Sequence, residues 1–140
     1  MGRIVAIDYG TKRTGIAASD TMQLIANGLR TVPSSEAAEF LRDYAAKEPV
    51  DLFVTGLPKQ LNNEPSDNMR HVEAFVKKLR KLVPDIPVEY ADERFTSVMA
   101  HRAMLEGGLK KHKRRDKALV DEISAVIILQ SYLEQKRNIH

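Results

Sequence analysis

Cysteine is absent from this chain, which excludes disulfide frameworks and thiolate metal sites and permits a reducing compartment without requiring one. No apolar run approaches the length of a membrane span, and the run from Ile4 to Ile7 is too short for the core of a signal peptide. Gly2 does not make a myristoylation site, because the residues after it read as a core strand. Internal repeats, low-complexity tracts and linkers long enough to separate a pair of domains are also missing. The histidines His71, His101, His112 and His140 show no metal-ligand spacing, and no serine or threonine stands in a nucleophile arrangement. The expectation is a single domain over residues 1–140, in the cytoplasm, with no membrane partner.

What is present suits a globular protein. The 140 residues are 43% hydrophobic and 29% charged, enough to bury a core. The net charge of +3 is unevenly spread. From Lys110 to Lys117 six Lys or Arg residues stand against one acid, Asp116, a local net of +5, so the rest of the chain is slightly acidic. The protein carries one basic loop rather than a basic surface.

Arg3 to Asp8 is a mostly apolar, β-branched run ending at an acid and a glycine, as expected of a buried strand. Thr14 to Ser19 reads as a second strand after the turn Gly10 to Arg13, and Gly28 to Val32 as a third, closing an antiparallel meander. Pro33-Ser34-Ser35 reads as a helix start, with Ala37, Phe40, Leu41, Tyr44 and Ala45 at helical spacing and Pro49 as the stop. Leu52 to Thr55 is a further strand, broken by Gly56-Leu57-Pro58. The polar stretch Lys59 to Ser66 reads as a mobile loop. A second helix carries Val72, Phe75, Val76, Leu79 and Leu82 on one face. Val88 to Ala91 forms a strand leading into Asp92-Glu93-Arg94. Thr96 opens a third helix that stops at Gly107-Gly108, and a long last helix runs from about Ala118 to Lys136. Three meander strands followed by alternating helix and strand indicate a mixed sheet with helices packed on it.

Three elements carry acids where chemistry could sit. Asp8 ends an apolar strand, where a carboxylate is costly to desolvate unless a cation or donors compensate it; turn hydrogen bonds from Gly10 or Thr11 are the plain alternative. Asp92 and Glu93 end another buried strand, and alternation allows only one of them to share a face with Asp8, without saying which. Asp121 lies near the start of the last helix, where it could simply complement the helix dipole, as could Glu122. Together, acids on three elements of one small sheet suit a hard divalent cation, which takes several oxygen ligands. Two such ions ~3.5–4 Å apart can activate water and stabilise the leaving oxygen of a phosphodiester.

The segments DYGTKRTGIAASD, VTGLPKQLNN, YADERFTS and KALVDEISAVIILQSYL resemble, in order and over nearly the whole chain, the YqgF/RuvX family of Holliday-junction-resolvase-like pre-16S rRNA nucleases. The resemblance implies an α/β, RNase H-like fold, a mixed five-stranded sheet with helices on both faces. It implies a cytoplasmic nuclease maturing the 5′ end of small-subunit ribosomal RNA. Carried over by position, the family's acids fall on Asp8, Glu93 and Asp121 as catalytic residues and ligands for Mg²⁺ or Mn²⁺, one ion or two. Glu93 is preferred to Asp92 on this ground alone. Two departures are visible. DEISAV stands where a more alanine-rich stretch is expected, and the basic stretch before it is heavier than expected.

Lys113, Arg114 and Arg115, within the basic loop, are candidates to hold the nucleic-acid backbone beside the acids, since phosphate contacts position a substrate without reading its sequence. Lys12 and Arg13, in the turn after Asp8, and Arg94, after Glu93, could reach a scissile phosphate or brace a carboxylate; surface salt bridging is the common alternative. The expected partner is structured RNA, pre-16S rRNA, or else branched DNA, with the protein a monomer or homodimer. Junction resolution requires paired cuts and hence a stable dimer. A non-catalytic RNA-binding assembly factor is a third reading. ATP handling, suggested by the likeness of DYGTKRTG to the phosphate hairpin of sugar kinases and actin-like ATPases, would need a second such domain.

Overall fold

The computed structural model describes residues 2–57, 69–92 and 116–138. The predicted loop at 59–66, the predicted helix from Thr96 to Gly108 and the basic stretch 110–115 lie outside these residues. Five strands, β1 (Arg3–Tyr9), β2 (Arg13–Ser19), β3 (Ala26–Pro33), β4 (Val50–Leu57) and β5 (Val88–Asp92), form one sheet in the order β3-β2-β1-β4-β5. β1 pairs antiparallel with β2 and β2 with β3, while β4 runs parallel to both β1 and β5. Helices α1 (Ala37–Lys47), α2 (Met69–Leu82) and α3 (Asp116–Asn138) cover the sheet. The mixed sheet predicted from the order of elements is therefore present.

Alternation along the strands separates two cores. Val5 and Ile7 of β1, Ile16 of β2 and Phe53 of β4 meet Leu41 of α1 and Val72, Val76 and Leu79 of α2. Ile4 and Ala6, with Ala17, Leu52 and Val54, turn the other way and meet Ala125, Ile128, Leu129 and Leu133 of α3. A central strand buried on both sides has no polar face to show, which is why Ile4 to Ile7 is unbroken apolar sequence. Burying each Val, Leu, Ile or Phe among these side chains is worth about 1.5–3 kcal/mol, so the two layers hold the sheet from both sides.

The helix start expected at Pro33-Ser34-Ser35 is present as a short 3₁₀ turn, Ser34–Glu36, that runs into α1, and no side chain caps either element. The buried Ser34 hydroxyl donates to the Gly10 carbonyl and shares a 2.8 Å hydrogen bond with Thr14. Its amide donates to the Lys12 carbonyl at 2.9 Å. The entry to α1 is thereby tied to the β1–β2 turn. Among the described residues no helix is long and apolar enough to cross a membrane.

Candidate active site

β1 sets the first side chain. Ile4 and Ala6 face α3, so Asp8, two residues on, faces α3 as well; it is 6% exposed. In the β1–β2 ladder Asp8 stands opposite Gly15, and paired residues of neighbouring strands point to the same face.

Asp121 comes from α3. Val120, Asp121, Ser124, Ala125, Ile128 and Leu129 make the buried stripe of that helix, at the three-to-four spacing that one helical face requires. Asp121 is the sixth residue of α3 and 7% exposed, so the dipole of the first turn is a poor account of it. The contact with the sheet is unusually close. A Cβ at Gly15 would overlap the backbone carbonyl of Asp121, and one at Gly28 of β3 would run into the Glu122 carboxylate. A glycine inside a strand often marks such an approach. Gly15 thus lets α3 sit flush on β2 and brings Asp121 to the side of the sheet that Asp8 faces.

Arg13 belongs to the same group. It shares the parity of Gly15 on β2, and its Nε donates to Asp121 Oδ2 at 2.7 Å. The arginine side chain is 42% exposed and the aspartate side chain 10%. The turn that delivers Arg13 is closed by the Gly10 amide donating to the Arg13 carbonyl at 3.0 Å and is braced by Ser34. Lys12 lies exposed at the tip.

Of the residues singled out in the sequence, the structure joins Arg13 to Asp121, places Asp8 on the same side of the sheet and leaves Lys12 exposed at the turn. Glu93, Arg94, Lys113, Arg114 and Arg115 lie outside the described residues. Among the described residues no three of His, Cys, Asp and Glu form a metal-ready group. The alternation of β5 is nevertheless clear up to Ala91. Val88 joins the core under α1 and α2, whereas Ala91 packs toward α3, and Glu89 accepts a 2.9 Å hydrogen bond from the Tyr132 hydroxyl of α3. Burial, with that contact second, pushes the Tyr132 hydroxyl up to about 12. The sequence reading missed Gly15, Gly28 and Ser34. Glycines within strand patterns were a visible sign for the first two.

A mixed sheet in this order, covered on both faces and carrying carboxylates on β1 and on the last helix, defines the RNase H-like class of fold. Thermus thermophilus RuvC, solved in complex with a Holliday junction substrate, matches it with a TM-score of 0.60 over 96% of each chain at 12% identity. Thermus thermophilus RuvC in a further structure matches with a TM-score of 0.50 at 13% identity over 96% of each chain. The chain belongs to the RuvX family, described as a Holliday junction resolvase family, whose model matches residues 2–135. Relatives named as candidate pre-16S rRNA nucleases include one from Parabacteroides distasonis, 71% identical over 98% of both chains. Those of Bacteroides thetaiotaomicron, at 68% over 98% of this chain and 99% of the relative, and Porphyromonas gingivalis, at 58% over 96% and 97%, carry the same name.

Proposed function

We propose that the chain is a one-domain, metal-dependent endonuclease that hydrolyses structured RNA, acting in the cytoplasm on the 5′ end of pre-16S rRNA. The observation that carries this reading is the burial of Asp8 and Asp121, from opposite ends of the chain, on one side of the sheet. Two buried carboxylates on one side repel unless cations compensate them, and oxygen donors are the set that Mg²⁺ or Mn²⁺ takes. The donor chemistry therefore fits. Glu93 is the third ligand in this reading. Its support is the parity of β5, where Glu89 and Ala91 turn toward α3, together with the resemblance that first selected it. A divalent ion held there would supply Lewis-acid activation of water and stabilise the leaving oxygen. The protein's own residues bring the acids together, exclude bulk water from their inner side and offer cations to the backbone. Arg13 and Lys12 at the turn, Arg94, and Lys113, Arg114 and Arg115 are the proposed phosphate contacts.

The names of the relatives favour RNA. The family's description and the junction-bound RuvC favour a second reading, cleavage of branched DNA by a dimer. The test is purified protein given precursor 16S rRNA and a four-way junction in competition, with and without Mg²⁺ or Mn²⁺. Cutting of the RNA that needs the metal and disappears in Asp8→Asn, with the fold retained by circular dichroism, is expected. Preference for the junction would replace the substrate. Undiminished cutting by Asp8→Asn would sink the site, and RNA binding without any cutting would leave a non-catalytic assembly factor.

A further inference from the structure

Arg13 is tied to an acid that the proposed function gives to a metal ion. Resting on that reading of Asp8 and Asp121, we propose that Arg13 is the built-in counter-cation of the site, neutralising Asp121 before an ion enters and competing with the ion for its carboxylate. Three observations carry this. The guanidinium sits 2.7 Å from Asp121 Oδ2, on the side of the sheet that Asp8 faces, so it meets the repulsion that burying two carboxylates creates. Exposure is asymmetric: the aspartate is fixed at 10% on a helix seated on Gly15, whereas the arginine, at 42%, can turn outward without being newly desolvated. A guanidinium also cannot shed its proton, so its charge leaves only if the side chain moves.

The consequence has a sign. A cation that must be displaced weakens ion binding, whereas a residue that merely held Asp121 in its ligating pose would strengthen it. Once displaced, the guanidinium stands at the mouth of the site on the braced β1–β2 turn, where a phosphate oxygen is its natural acceptor. Ion entry and grip on the substrate backbone would then favour one another.

The experiment is a calorimetric titration of Mn²⁺ into the wild-type protein, Arg13→Gln and Arg13→Lys. Arg13→Gln is expected to bind Mn²⁺ more tightly, on the order of tenfold within the usual range of coupling between sites. Arg13→Lys, which keeps the charge, should stay within about twofold to threefold of wild type by the same reasoning. Without metal, Arg13→Gln should melt at a lower temperature than wild type, and Mn²⁺ should restore more of its stability. Equal or weaker Mn²⁺ binding by Arg13→Gln overturns the proposal. If Arg13→Gln does not fold without metal, it should be rescued by Mn²⁺ below the wild-type Kd, and failure of that rescue also overturns it. Wild type that binds no Mn²⁺ is a different failure, which removes the metal-site reading and this inference with it.

Discussion

At the scale of single residues, two glycines do different work although both lie under α3. At Gly15 a new methyl group would meet the Asp121 backbone, which can yield only by lifting the helix. At Gly28 it would meet the far end of the Glu122 side chain, which can swing away. Gly15→Ala should therefore cost about 1–3 kcal/mol or somewhat more, the usual range for overpacking. Gly28→Ala should stay within about 1 kcal/mol of neutral, because alanine also lowers the entropy lost by a strand glycine. Urea unfolding of both variants checks this, and equal costs would mean that the seating of α3 does not depend on Gly15. Neither glycine looks important in composition. Their meaning lies in what the far end of the chain lays over them.

At the scale of elements, the periodic stretches of the chain were legible and the connections less so. Period-two and continuous apolar runs marked all five strands, and the face of α2 followed from Val72, Phe75, Val76 and Leu79. β3 is longer than the apolar pattern suggests, Ala26–Pro33, because an edge strand with mostly exposed residues gives little hydrophobic signal. Ser34 marks the helix start as its tripeptide suggests, but only the folded chain brings Gly10 and Thr14 to its hydroxyl. The β2–β3 connection is held by Asp20, whose carboxylate accepts from the amides of Leu24 at 2.8 Å, Ile25 at 2.9 Å and Met22 at 3.2 Å. Gln23 there adopts φ 59°, with its side-chain Nε2 donating to the Gly2 carbonyl at 2.7 Å. The Ile25 and Leu24 amides hold the Asp20 carboxyl below its usual value. A lowered folded-state pKa means the turn's stabilisation is complete above the unfolded value, about 3.9, and is lost as pH falls through the lower folded value. The Leu24 and Ile25 amide resonances should shift over that acid range, and Asp20→Asn should abolish the shift. Shifts that persist in Asp20→Asn would assign them to another acid.

At the scale of the whole molecule, the fold solves a problem of delivery: acids from the first strand and the last helix must reach one side of the sheet. The candidacy of Asp8 was legible because an acid closing an apolar strand stands out. Asp121 was harder to read, since taken alone it is better explained as an acid complementing the helix dipole until Gly15 and Arg13 come beneath and beside it. Positive charge is concentrated in the sequence just ahead of the same helix. The six basic residues from Lys110 to Lys117 lead directly into the helix that bears Asp121, while the remainder of the chain is slightly acidic. A backbone-binding role for this stretch makes a quantitative demand. Each phosphate contact contributes about −0.9 to the slope of log affinity against log salt for duplexes and about −0.7 for single strands. If Lys113, Arg114 and Arg115 each hold a phosphate, neutralising all three should flatten the slope for structured RNA by about 2–3. Affinity at low salt should fall, with little change near 1 M, where charges are screened beyond about 3 Å. The measurement is RNA affinity by fluorescence anisotropy across a salt series, in Asp8→Asn protein so that cleavage does not intervene. A slope unchanged by the triple substitution would take the basic stretch out of the binding surface and leave the turn at Lys12 and Arg13 as the remaining described source of positive charge beside the acids.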